Sequence, residues 1–238
     1  MAPEPPAPAA VPSSTAVPVR ETMPVSGPRP APASPLTPLP AAGSPSVAQG
    51  ALARLLAGNE RFAAGASVHP HQDAARRNAV AGEQAPFAAV VGCSDSRLPA
   101  ELIFDCGLGD LFVVRTAGHT IGRETLGSVE YAVTVLRVPL VLVLGHHACG
   151  AVRAACDLVA AGTPISRNLR AVVDAIVPHA RAAAEVDDVV ELHVAATVRR
   201  LSAAVAGERC AFHGMVYDLR TGRVASAIDT VRKGLLTL

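Results

Sequence analysis

Tryptophan is absent, and aromatic residues make up only 3% of the 238-residue chain. A core built mainly on ring packing is excluded, so the interior must be filled by Val, Leu, Ile and Ala, within an apolar content of 50%. Lysine is almost missing as well: Lys233 is the only one, and the arginines bring the basic total to 21 against 20 acids, a net charge of +1. With both signs mixed along the chain there is no basic face for phosphate backbones, and nucleic acid is not an expected partner. No uncharged stretch reaches a membrane-spanning length without Gly, Pro or His, and no basic N-terminal segment leads into an apolar run. Neither a membrane span nor a secretory leader is expected. Cysteines number five, at 93, 106, 149, 156 and 210. An odd, sparse set in a chain of this size is no disulfide framework, and it points to a reducing, cytoplasmic setting.

What the sequence has in excess is proline, and 14 of its 20 prolines fall within residues 1–46. That Pro/Ala/Ser stretch holds too little large apolar surface to offset its ordering entropy. It reads as a disordered tail ahead of a single domain at 47–238. The domain opens with Leu52, Leu55, Leu56 and Phe62 at helical spacing and Gly65 as a stop. This amphipathic helix has two open destinations, its own core or a second subunit. Three unalternating apolar runs follow, Phe87–Gly92, Leu111–Arg115 and Leu140–Gly145, each leading through a turn into a helical pattern. Runs of this kind are strands buried on both faces, so the expected fold class is α/β, a mostly parallel central sheet flanked by helices. Helices are expected at Pro99–Phe104, Glu124–Leu136, Gly150–Ala161, Leu169–Ala184 and Val189–Ala206. A hairpin from CAFHGMVYDL and RVASAI is expected to close the domain.

Chemistry concentrates where two of these strands end. The first runs directly into Cys93-Ser94-Asp95-Ser96-Arg97, and the third into His146-His147-Ala148-Cys149-Gly150. In open α/β sheets the carboxyl edge of the strands is where binding sites form, so the two clusters can converge. Thiolate and imidazole are the preferred donors of zinc. His-x-x-Cys places two of them one turn apart at a helix start, and Cys93 supplies a third. Three protein donors leave a fourth position open, as a catalytic zinc requires, and no further Cys or His stands at finger-like spacing. Asp95 has two readings. Paired with Arg97 it stays ionised and orients a zinc-bound hydroxide; released from Arg97 it becomes a fourth zinc ligand that shuts the site. Cys93 as the nucleophile of a phosphatase-like loop is disfavoured, because Arg97 comes too soon after it and Asp95 sits inside the loop.

The segments VVGCSDSRLPAELIFDCGLGDLFVVRTAGH and LGSVEYAVTVLRVPLVLVLGHHACGAV resemble the β-class carbonic anhydrases, with likeness extending from Ala51 to Leu219. The resemblance implies one zinc ion per subunit on Cys93, His146 and Cys149, and a catalytic pair formed by Asp95 and Arg97. It also implies reversible hydration of carbon dioxide to bicarbonate, and a homodimer or tetramer. Hydrolysis of carbonyl sulfide or carbon disulfide on the same scaffold is a second reading. A non-catalytic protein with structural zinc, Asp95 filling the fourth position, is a third. Cys106 departs from the family pattern where Gln is common, which puts substrate positioning near it in doubt. His213 stands where a small apolar residue is common, and the segment between Val198 and Cys210 looks short. The other histidines have plainer readings: His147 at the rim, His119 in the pocket, a turn or an interface, and His69, His71, His179 and His193 at the surface. Cys156 and Cys210 are expected in the core, and Tyr131 is expected to pack.

Overall fold

The computed structural model describes residues 45–205 and 210–227. The proposed tail, up to residue 44, and the last residue of the expected helix ending at Ala206 lie outside them. In chain order the elements are α1 (Pro45–Ala63), α2 (Ala74–Ala79), β1 (Ala88–Cys93), α3 (Ala100–Ile103), β2 (Leu111–Thr116), α4 (Arg123–Thr134), β3 (Leu140–His146), α5 (Gly150–Ala161), α6 (Arg167–Ala180), α7 (Val186–Ala204), β4 (Ala211–Tyr217) and β5 (Val224–Ser226). A single 3-10 turn, Ala117–His119, follows β2. The sheet runs β2-β1-β3-β4-β5, parallel except for the antiparallel β4–β5 pair. This is the expected α/β architecture, and the closing hairpin is present.

The unalternating runs explain the core. Every residue of β1 and of β3 is buried, so both faces of these central strands are covered by helices. Full burial of a Leu or Val contributes about 1.5–3 kcal/mol, so the four residues Val141–Leu144 together contribute about 6–12 kcal/mol of burial. α1 packs on its own core through Ala51 and Leu55. It is fixed there by Asn59, which donates to the carbonyls of Ile103 and Gly222 and accepts from the Val224 N–H.

β1 is followed by β2 on one side and, after β2, by β3 on the other. The chain therefore reverses its direction of travel across the sheet between β1 and β3, and a crevice opens at their carboxyl ends. α7 lies close over β3 because Gly145 has no side chain: a Cβ there would stand 2.4 Å from Val194 Cγ2.

Candidate metal centre

β1 and β3 end side by side, with Gly92 in register with Leu144. Cys93 is the last residue of β1 and His146 the last of β3, so the two side chains enter the crevice from adjacent strands. Cys149 is the N-cap residue of α5, which places its sulfur at the positive end of that helix, although it accepts no capping hydrogen bond. The intervening turn holds Ala148 at φ 53, a left-handed conformation uncommon for a residue with a Cβ. The Ala148 N–H donates to Asp187 Oδ1 at 3.3 Å, tying the turn to the start of α7. In consequence one donor atom each from Cys93, His146 and Cys149 lies within 4.8 Å of the others, and all three residues are buried.

The donor set fits a zinc ion. His146 Nδ1 lies 2.9 Å from the His147 carbonyl oxygen, so it carries the proton and donates, leaving Nε2 as a lone-pair nitrogen. That Nε2 is buried without a hydrogen-bond partner, which is costly unless a Lewis acid engages it. The two thiols tell the same story. The neighbouring Cys149, opposed by burial and helped by His146, pushes Cys93 down, while Cys93 and burial push Cys149 up. Two buried sulfurs and an imidazole nitrogen this close together could serve one metal ion.

Backbone donors prepare the Cys93 thiolate. The N–H groups of Asp95 and Gly118 point at its sulfur at 3.4 and 3.3 Å. Arg115, at the end of β2, donates through Nε to the Cys93 carbonyl at 2.9 Å and through Nη2 to the Asp95 carbonyl at 2.6 Å. The sequence reading missed Arg115. Its signal is a lone charge at the end of an apolar strand, one position before the residue paired with Cys93.

Asp95 and Arg97 form a bidentate ion pair, Nε to Oδ1 at 2.9 Å and Nη2 to Oδ2 at 2.7 Å, and the Arg97 N–H also donates to Oδ1. Arg97 holds the Asp95 carboxyl well below the usual carboxylate range, against a smaller opposing push from burial. Asp95 stands beside the three-donor cluster rather than within it, its Oδ2 being 3.9 Å from His146 Nε2. A cavity of about 880 Å³, lined by Arg97, His147, Ala148 and Asp187 among others, opens next to this pair.

The remaining expectations meet the structure unevenly. His147 is half-exposed at the cavity rim as expected, and His69 and His71 are exposed. His193, expected at the surface, is only 4% exposed, because it falls on the apolar stripe by which α7 meets the sheet. His119 is buried against it, ring centroids 4.4 Å apart, with both nitrogens unpartnered. The Cys106 thiol is buried and donates to the Phe104 carbonyl, and burial followed by Asp110 pushes it up to about 12. Cys156 and Cys210 are half-buried rather than in the core. Tyr131 is exposed, its ring 6.2 Å from that of Phe112 between centroids, on the side where β2 has no strand beyond it.

The comparisons with known proteins agree with this geometry. The family model for carbonic anhydrase matches residues 88–224. Carbonic anhydrase 2 of Mycobacterium tuberculosis is 47% identical over 178 residues, covering 70% of this chain and 86% of that protein. The chain belongs to the β-class carbonic anhydrase family. Among solved members, a tetrameric β-carbonic anhydrase of Sordaria macrospora matches with a TM-score of 0.56 at 26% identity, covering 74% of this chain and 96% of its own. A β-carbonic anhydrase of Aspergillus fumigatus matches with a TM-score of 0.58 at 25% identity, covering 78% and 97%. As a member of the β-carbonic anhydrases the chain is an enzyme of the lyase class, and hydration of carbon dioxide is the general reaction of the family. Among the described residues, no helix is long and apolar enough to cross a membrane.

Proposed function

We propose that the chain catalyses the reversible hydration of carbon dioxide at one zinc ion per subunit, held by Cys93, His146 and Cys149. The observation that carries this reading is the meeting of these three buried donors beside an ionised Asp95 at the carboxyl ends of β1 and β3. Zinc at such a site supplies Lewis acidity, which makes water a competent nucleophile near neutral pH. The chain's own groups do the rest. Asp95, kept anionic by Arg97, accepts a proton-bearing hydrogen bond from the attacking water and aims its lone pair at the carbon of the substrate. The N–H groups of Asp95 and Gly118 keep charge on Cys93, and the bond from His146 Nδ1 to the His147 carbonyl fixes the imidazole with Nε2 free to ligate. Asp95 as a fourth ligand requires the bidentate pair with the Arg97 guanidinium to open, and the paired arrangement favours the orienting role.

The β2 edge supports a homodimer or tetramer. Leu111 to Val114 are only half-buried there, and Leu108, Tyr131 and Val135 are exposed nearby. One solved relative is described as tetrameric. Five free cysteines suit a reducing cytoplasm, and the proposed division is a catalytic domain at 47–238 behind a tail at 1–46, with α1 already starting at Pro45.

Stopped-flow hydration of carbon dioxide on protein of known zinc content tests the activity. Rapid turnover that scales with zinc supports it. Full zinc loading without hydration overturns it, and turnover of carbonyl sulfide or carbon disulfide by the same sample would favour the hydrolase reading, its absence the structural one.

A further inference from the structure

The turn after β2 is an improbable piece of backbone. Gly118 has φ 62 and ψ 25, and His119 follows at φ 43, so two successive residues occupy the left-handed region. The turn has no room to relax outward, since a Cβ at position 118 would stand 2.9 Å from Ala151 Cβ and 3.0 Å from Ile176 Cδ1. Conformations of this kind persist only where neighbours hold them. On the N–H side, Gly118 is engaged by the Cys93 sulfur at 3.3 Å. On the carbonyl side it is engaged by His193 Nε2 at 3.0 Å.

His193 reaches that carbonyl because α7 lies close over Gly145, with Val190 and Val194 against the strand and His193 on the same helical stripe. A carbonyl oxygen can only accept, so Nε2 carries the proton of a neutral imidazole. Burial disfavours the charged form, and the ring of His119 closes over one face. Nothing in the ion pair of Asp95 and Arg97 uses this histidine.

We infer that His193 is a positioning residue for the metal centre: by clamping the Gly118 carbonyl it holds the neighbouring Gly118 N–H on the sulfur of Cys93. The inference rests on the metal reading above and extends it to a residue two contacts away from the ligand. Without the clamp the turn rotates toward ordinary dihedrals, the N–H leaves the sulfur, and Cys93 becomes a less stable thiolate and a poorer ligand.

Two variants separate hydrogen bonding from packing. His193→Phe keeps a ring against His119 and removes the donor; His193→Gln keeps an N–H donor and removes the ring. Metal affinity is measured by competition with a chromophoric chelator, and the thiolate-to-metal charge-transfer band is recorded on the cobalt-substituted proteins. The expected result is a loss of metal affinity of about 10- to 100-fold with a shifted band for His193→Phe, and near wild-type values for His193→Gln. Should the Phe variant not fold, His193→Asn, whose donor is too short to reach the carbonyl, carries the same expectation. Unchanged affinity and band in the variant lacking the donor, or equal losses in the Gln variant, overturn the inference while leaving the metal reading intact. Wild-type protein that takes up neither zinc nor cobalt overturns the metal reading itself, and the inference with it.

Discussion

The two loops that build the metal centre are held in different ways. The loop after β3 is held mainly at short range: His146 bonds its own neighbour's carbonyl and Cys149 is the N-cap residue of α5, while two backbone N–H groups tie the loop outward, His147 to the Tyr217 carbonyl of β4 at 3.1 Å and Ala148 to Asp187. The loop after β1 depends on distant residues. Its carbonyls are clamped by Arg115 from β2, its thiolate is engaged by Gly118 from the next turn, and that turn is clamped in its turn by His193 from α7. The second loop leans more heavily on side chains from distant elements than the first, so disturbances elsewhere in the domain should reach the centre chiefly through Cys93.

Loss of a donor erases that contrast. Cys93→Ala and Cys149→Ala should both fall from about one zinc per chain to almost none, by metal analysis after dialysis. Asp95→Asn should behave differently, because Asp95 stands beside the cluster. It should keep its zinc while carbon dioxide hydration drops by about 100-fold or more, and a fully active variant would remove Asp95 from the chemistry. The supports of the loops come next. Arg115→Ala removes two bonds to the β1 loop and should cost about 1–2 kcal/mol, discounted for the exposure of Arg115. Asp187→Ala removes one long bond and should cost about 0.5–1 kcal/mol. Urea unfolding of both variants sharpens the comparison, and the reverse order would break it.

The smallest effect concerns pH. Burial, followed by the other histidines, holds His119 well below its ordinary range, and burial brings His193 down to about 4. An unfolded histidine titrates near about 6.5, so the unfolded chain binds more protons than the folded one between these values. The contribution of His193 to stability is complete above about pH 6.5 and is lost as pH falls toward 4. Between pH 7 and pH 5 the urea midpoint of the wild type should therefore fall more than that of His193→Phe. Parallel slopes would mean that His193 is not buried neutral.

Much of this was legible in the sequence, for reasons that differ by element. β1 and β3 announce themselves because strands covered on both faces have no polar positions, and α5 keeps its expected limits, Gly150–Ala161, because a cysteine cap opens it and Gly162 closes it in the left-handed conformation. Cys93, Asp95, Arg97, His146 and Cys149 could be placed together because each lies at or just beyond a strand end on the same edge of a parallel sheet. α2, with the sequence AARRNA and no buried residue, has no apolar period to read. The supports of Cys93 are tertiary and leave weaker marks. His193 was misread as a surface residue, although it falls three and four positions after Val190 and Val189, on the same buried stripe. Arg115 and Gly118 become meaningful only once the register places Thr116 beside Cys93.

The most direct test of the central claim is X-ray absorption at the zinc edge on the purified protein. Convergence of Cys93, His146 and Cys149 predicts two sulfur scatterers at about 2.3 Å and an imidazole nitrogen at about 2.0–2.1 Å, with a single light atom completing the shell. A shell lacking sulfur, or with four protein sulfurs and nitrogens and no light atom, would contradict it.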